Sequence, residues 1–202
     1  MTKIEELYHL MELLKKHNLP ISPILEYAIK EREEQYAFDE DGLILGQKHE
    51  PKFEVYKELD DYCREFVNLS TSTVQGKKLP HKAILLLSIF SLVEKGTIRE
   101  NKIELNKDIS SMFSIIWNKY MHDSKVPSVW TPFWHMKSES FWHFKPLESE
   151  KRIQELYKPS IGPMRAAISY AYLDKELYLY IQNAKTREQL KNVLEKTYLL
   201  HR

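Results

Sequence analysis

Cysteine occurs once in the 202 residues, as Cys63. A single thiol excludes an intrachain disulfide framework and a cysteine-built zinc site, and it fits a reducing compartment. Glycine is scarce, at five residues, which leaves little for a phosphate-cradling glycine loop. No Gly-x-Ser-x-Gly elbow, Walker loop or dinucleotide fingerprint occurs. No run of about 18 apolar residues exists, so neither a transmembrane helix nor a membrane partner is expected. Residues 1–14 contain acids and no long apolar run, unlike a signal peptide. These absences predict a cytoplasmic protein that needs no cofactor.

What the chain does have is unevenly distributed charge. The net charge of +1 hides 8 Lys and Arg against 14 Asp and Glu in residues 1–60, net −6. The remainder carries 22 against 15, net +7. A basic second part points to an anionic partner.

Helical punctuation organises the sequence. Thr2 and Glu5 fit a capping box, and Ile4, Leu7, Tyr8, Met11 and Leu14 recur at helical spacing. Asn18 and Pro20 end that helix. Ser22-Pro23 opens a second one to about Tyr36. Leu43-Ile44-Leu45 suits a short strand, and a third helix is expected over about Phe53–Val67. Residues 70–76 form a polar loop and a natural boundary. His81 to Lys95 is apolar almost all round, as a central buried helix must be, and Gly96 ends it with a left-handed cap. Thr97–Leu105 reads as a small hairpin. Asn106 caps a helix bearing Ile109, Met112, Phe113, Ile116, Trp117 and Tyr120. Two aromatic strands, around Phe133-Trp134 and Phe141-Trp142, are expected to flank the turn 137–140 as a hairpin. Ser160 to Tyr170 reads as a helix, Asp174 caps another through Ile181, and Thr186 with Gln189 opens the last. The expected fold is mainly α with a small antiparallel sheet. Residues 1–58 form an acidic helical extension and 59–202 the recognition domain.

The candidate site gathers around Pro80. Lys77, Lys78, His81 and Lys82 surround the start of the buried helix, where unpaired N–H groups and the helix dipole favour a phosphate. Trp130, Phe133, Trp134, Phe141, Trp142 and Phe144 supply rings, mostly for the core. Lys137 and Ser138 stand ready to donate to a phosphate oxygen. His122, Asp123, His135 and His143 lack tight ligand spacing, so no metal is expected. Cys63, inside a helix, suits packing.

From Leu79 to Leu199 the order of features resembles the sulfur-binding domain of phosphorothioate-dependent McrA-type restriction enzymes, which commonly precedes an HNH nuclease in bacterial proteins. The residues that carry the resemblance are Pro80-His81-Lys82 with its Leu-rich helix, Gly96-x-Ile98, Phe113-x-x-x-Trp117, Pro132 through Ser138, Phe141-Trp142-His143, Met164-Arg165, Tyr170-Ala171-x-Leu173-Asp174 and Tyr198-Leu199. The resemblance implies binding to duplex DNA in which sulfur replaces a non-bridging phosphate oxygen. His81 and Lys82 would contact the modified backbone, Pro132 would wall an apolar notch for the sulfur, and Arg165 would add a phosphate contact. Thr131 stands where the family often has an aromatic ring, and His135 where a small residue lines the notch. No HNH signature is present.

The sequence therefore predicts a reader of phosphorothioate-modified double-stranded DNA in a bacterial restriction or defence system, with no catalysis of its own. Its expected DNA-binding residues are Lys78, His81, Lys82, Thr131, Pro132, Trp134, His135, Lys137, Ser138 and Arg165. Cleavage would come from a nuclease partner or a region outside this chain. Two alternatives remain. One is a divergent metal-dependent nuclease using Asp41, Glu50 and Lys52, although Pro51 would remove a ladder donor there. The other is a protein-interaction adaptor working through the N-terminal helices.

Overall fold

The computed structural model describes residues 3–17, 19–36, 57–74, 76–122, 125–149, 153, 156 and 160–200, with the backbone alone for 3–5 and 31–36. Thr2, the run 43–45, residues 53–56, Asp123 and the residues of the nuclease alternative, Asp41, Glu50 and Lys52, lie outside the described set. The chain divides into two compact units, Met1–Tyr56 and Lys57–Arg202.

The first unit holds a helical hairpin of α1 (Lys3–Lys16) and α2 (Pro23–Tyr36). Leu7, Tyr8, Met11 and Leu14 are half-buried, and Leu10 and Leu13 between them are exposed, as the helical period requires. Ser22 Oγ accepts from Ile24 N at 3.3 Å, a side-chain cap directly before Pro23. Leu25 and Ile29 of α2 are buried.

The second unit is built around α4 (His81–Glu94), of which Lys82 to Phe90 and Leu92 are buried. A helix apolar on every side has neighbours on every side. Here α5 (Lys107–Tyr120), α6 (Trp130–His135), α8 (Lys175–Gln182) and α9 (Ala184–Tyr198) pack around it. Helix α3 (Leu59–Val67) packs on α8 and α9 and buries Tyr62 and Phe66. Gly96 ends the α4 segment at φ 68°. Asn106 caps α5, its side chain accepting from Asp108 N and Ile109 N at 3.0 and 3.2 Å.

Two small antiparallel sheets complete a mainly α fold, among the described residues, in agreement with the sequence. In one, β1 (Thr73–Val74) pairs with β2 (Lys77–Lys78). In the other, β3 (Trp142–Pro146) pairs with β4 (Ile168–Leu173), Trp142 opposite Leu173 and His143 opposite Tyr172.

This second sheet corrects several expectations. The aromatic hairpin does not form. Trp130–His135 is helical, because Pro132 falls in a first turn, where it disturbs nothing, and a 3-10 turn over Met136–Ser138 follows. The aromatic strand takes a distant partner instead, so His143 faces Tyr172 and not His135. The helix expected to Tyr170 is α7 (Ile161–Ala167), which ends where Ile168-Ser169-Tyr170 joins the sheet. Residues 97–105 form no hairpin; Ile103 alone bridges to Ala171, with N–O distances of 2.7 and 2.9 Å. Helix α9 starts before Thr186, capped by Asn183, whose side chain accepts from Lys185 N and Thr186 N.

Candidate nucleic-acid interface

Pro80 precedes α4 at φ −84° and ψ −3°, already helical, so the helix opens sharply at His81. Its carbonyl accepts from Ile84 N at 2.8 Å. The His81 ring lies 5.0 Å from that of Trp117, centroid to centroid, which ties the helix start to α5.

Helix α6 also packs on α4. Its core face is aromatic: Phe133 stands edge-on to Trp142 at 5.3 Å, and Trp134 stacks on Phe144 at 5.7 Å with 12° between planes. Such pairs add specific geometry to their apolar burial. They fix α6 and its turn against β3, leaving Thr131, Pro132, His135, Lys137 and Ser138 along an open cavity of about 580 Å³. His81 and Lys82 line the same cavity, as do Ser70, Thr71, Ser72 and Leu79.

Seven of the ten expected residues thus share one cavity, and three do not. Trp134 is buried and serves as a platform, with Lys137 Nζ 4.0 Å from its ring centroid. Lys78 donates to Val67 O at 2.7 Å and lies over the Tyr198 ring. Arg165 donates to Leu105 O at 3.2 Å and lines a separate cavity with Glu104, Asn106 and Tyr170.

Lys82 is almost wholly buried. Its ammonium sits 2.5 Å from Glu139 Oε1 and donates to Ser138 Oγ at 2.7 Å. The same carboxylate oxygen accepts from Ser70 N at 3.1 Å. Burial pushes the Lys82 pKa down, and Glu139 opposes that only in part.

A second polar cluster centres on Asp174. Asp174 accepts from Lys57 Nζ at 3.1 Å and Tyr62 OH at 3.0 Å, and its Oδ1 is 2.6 Å from His143 Nε2. An ionised carboxylate only accepts, so that imidazole nitrogen carries the proton. Burial alone would raise the Asp174 pKa. The hydrogen bonds from His143, Lys57 and Tyr62 and the Lys57 charge outweigh it and hold the carboxyl below its ordinary value. Burial, then the Asp174 charge, drives the Tyr62 phenol upward. The cluster links α3, β3 and the start of α8. Among the described residues no group of three His, Cys, Asp or Glu is placed to hold a metal.

Residues 59–202 match the family described as ScoMcrA-like, DNA sulfur-binding domain. The chain belongs to this family. No curated protein matches the chain.

The match makes residues 59–202 a DNA-binding module, and it begins where α3 begins. Within this sulfur-binding domain two residues of the cavity region escape sequence reasoning. Glu139 is an acid in a polar turn, and its partner Lys82 lies 57 positions away. Thr71 sits in a polar loop, yet its hydroxyl is buried and has no hydrogen-bond partner among the described residues. No local signal in the sequence marks either one.

Proposed function

We propose that this sulfur-binding domain reads phosphorothioate linkages in duplex DNA and carries no catalysis of its own. The observation that supports this reading is the meeting of Pro132, His81 and Lys137 on one cavity beside the start of α4. Sulfur is larger, more polarisable and less strongly hydrated than oxygen. The Pro132 ring offers it dispersion, and contact with that apolar ring penalises the better-hydrated oxygen. The linkage keeps its negative charge, which His81, Lys137 and the positive end of α4 would meet.

In this reading Thr131, His135 and Ser138 complete the cavity rim, while Lys78 and Arg165 reach the backbone only outside it. Cleavage belongs to a nuclease partner or to a region outside this chain, within a bacterial restriction or defence system in the cytoplasm. The test is binding to one short duplex with and without a single Rp phosphorothioate, at two salt concentrations. A reader binds the sulfur duplex more tightly at both. Equal, salt-sensitive affinities mean a general backbone binder, and no binding at all removes the reading.

A further inference from the structure

One cation of the cavity lining, Lys82, is paired with a carboxylate. Lys82 and Ser138 both line the cavity, and Glu139 lies directly behind them, its side chain 8% exposed against 6% for Lys82. Glu139 Oε1 takes the Lys82 ammonium at 2.5 Å and Ser70 N at 3.1 Å, with Ser138 Oγ 3.0 Å away. Viewed from the cavity, Lys82 is one end of a neutral pair and not a unit positive charge.

We propose that Glu139 is a specificity-determining residue that sets the preference for sulfur over oxygen by neutralising Lys82; this rests on the reading of the cavity as a phosphorothioate site. An unpaired ammonium in a low-dielectric pocket binds any phosphate strongly. It also favours the charge-dense oxygen, with which it makes the better hydrogen bond. Such a cation would erase the advantage that an apolar wall gives to sulfur. Paired with Glu139, Lys82 keeps its stem packed and its donors satisfied, and gives oxygen no such reward. Sulfur then gains its contact with Pro132, and the net charge of the linkage is left to His81 and Lys137.

The reading and this inference fail differently, and one set of titrations separates them. Wild type, Glu139→Gln and the double variant Lys82→Met/Glu139→Leu are titrated with plain and sulfur duplexes across a salt series. The glutamine keeps an acceptor for Ser70 N and leaves the Lys82 ammonium without a counter-charge, so that a bound phosphate becomes its partner. Plain-duplex affinity should rise more than sulfur-duplex affinity, the preference should fall, and the plain-duplex salt slope should steepen by about 0.9. The double variant replaces a buried pair by apolar groups, a change that proteins often tolerate. It should keep the sulfur preference and the wild-type slope, and it carries the test if the glutamine variant does not fold. An unchanged preference and slope in Glu139→Gln, or a collapsed preference in the double variant, overturns the role of Glu139 and leaves the reader intact. A wild-type protein without sulfur preference overturns both.

Discussion

Lys137 holds its ammonium 4.0 Å from the centroid of the Trp134 ring, while Phe144 stacks on that ring at 5.7 Å. A core aromatic therefore aims a surface cation along the cavity rim. An exposed cation over an indole face gains about 0.5–1 kcal/mol, enough to bias one side-chain orientation. Lys137→Ala should weaken binding to plain and sulfur duplexes alike, and should lower the salt slope by about 0.9. Its melting temperature should stay near wild type, because Lys137 is exposed. An unchanged slope would take Lys137 off the phosphate.

Pro132 should act on the other quantity. Pro132→Ala removes two ring methylenes from the wall and leaves a residue that suits a helix. At about 0.8 kcal/mol per methylene, the sulfur duplex should lose about 1.5 kcal/mol, roughly tenfold in affinity. The plain duplex should change little. Equal losses on both duplexes would move the sulfur contact elsewhere.

Asp174 governs acid stability. Its folded pKa lies below the ordinary 3.8, so the folded protein binds fewer protons there than the unfolded chain. The stability it contributes is complete above about pH 4 and is lost as pH falls through the lower, folded value. Asp174→Asn should cost about 2 kcal/mol at neutral pH, the scale of hydrogen bonds to a charged group. It should also flatten the acid limb of a stability–pH curve measured by denaturant unfolding. A limb as steep as wild type would assign acid sensitivity to other carboxylates.

Lys57 marks where the second unit needs to start. Its ammonium reaches Glu65 at 2.9 Å, Ser140 Oγ at 3.0 Å and Asp174 at 3.1 Å. A fragment of residues 57–202 should fold and bind duplex DNA as the whole chain does. A fragment starting at residue 59 should melt lower by roughly 1 kcal/mol of stability, as suits a partly exposed ion pair. Loss of DNA binding in the longer fragment would give residues 1–56 a direct role.

Local chemistry was what the sequence made legible. Ser22, Gly96 and Asn106 end or begin helices through their own backbone and side-chain preferences, and the all-round apolar pattern of residues 83–93 places that helix in the centre. The cavity residues could be grouped because Pro80-His81-Lys82 and Pro132 through Ser138 are each contiguous. The hidden features depend on distant partners. Trp142–Pro146 looks like half of a hairpin until Ile168–Leu173 pairs with it. Trp134 reads as a DNA-binding residue until Phe144 stacks on it and the core closes around it. Lys82 reads as a free cation until Glu139 arrives from the α6 turn, and Asp174 reads as a helix cap although its carboxylate is held by Lys57, Tyr62 and His143.

The central claim is that the cavity beside Pro132 accepts sulfur in place of one non-bridging oxygen. That replacement gives two diastereomers, which point sulfur to opposite sides of the backbone. Fluorescence anisotropy titrations of the plain duplex and the two separated diastereomers, in one buffer, test the claim most directly. The account predicts that the Rp isomer binds more tightly than the plain duplex and that the other isomer does not. Equal affinity for all three duplexes would contradict it.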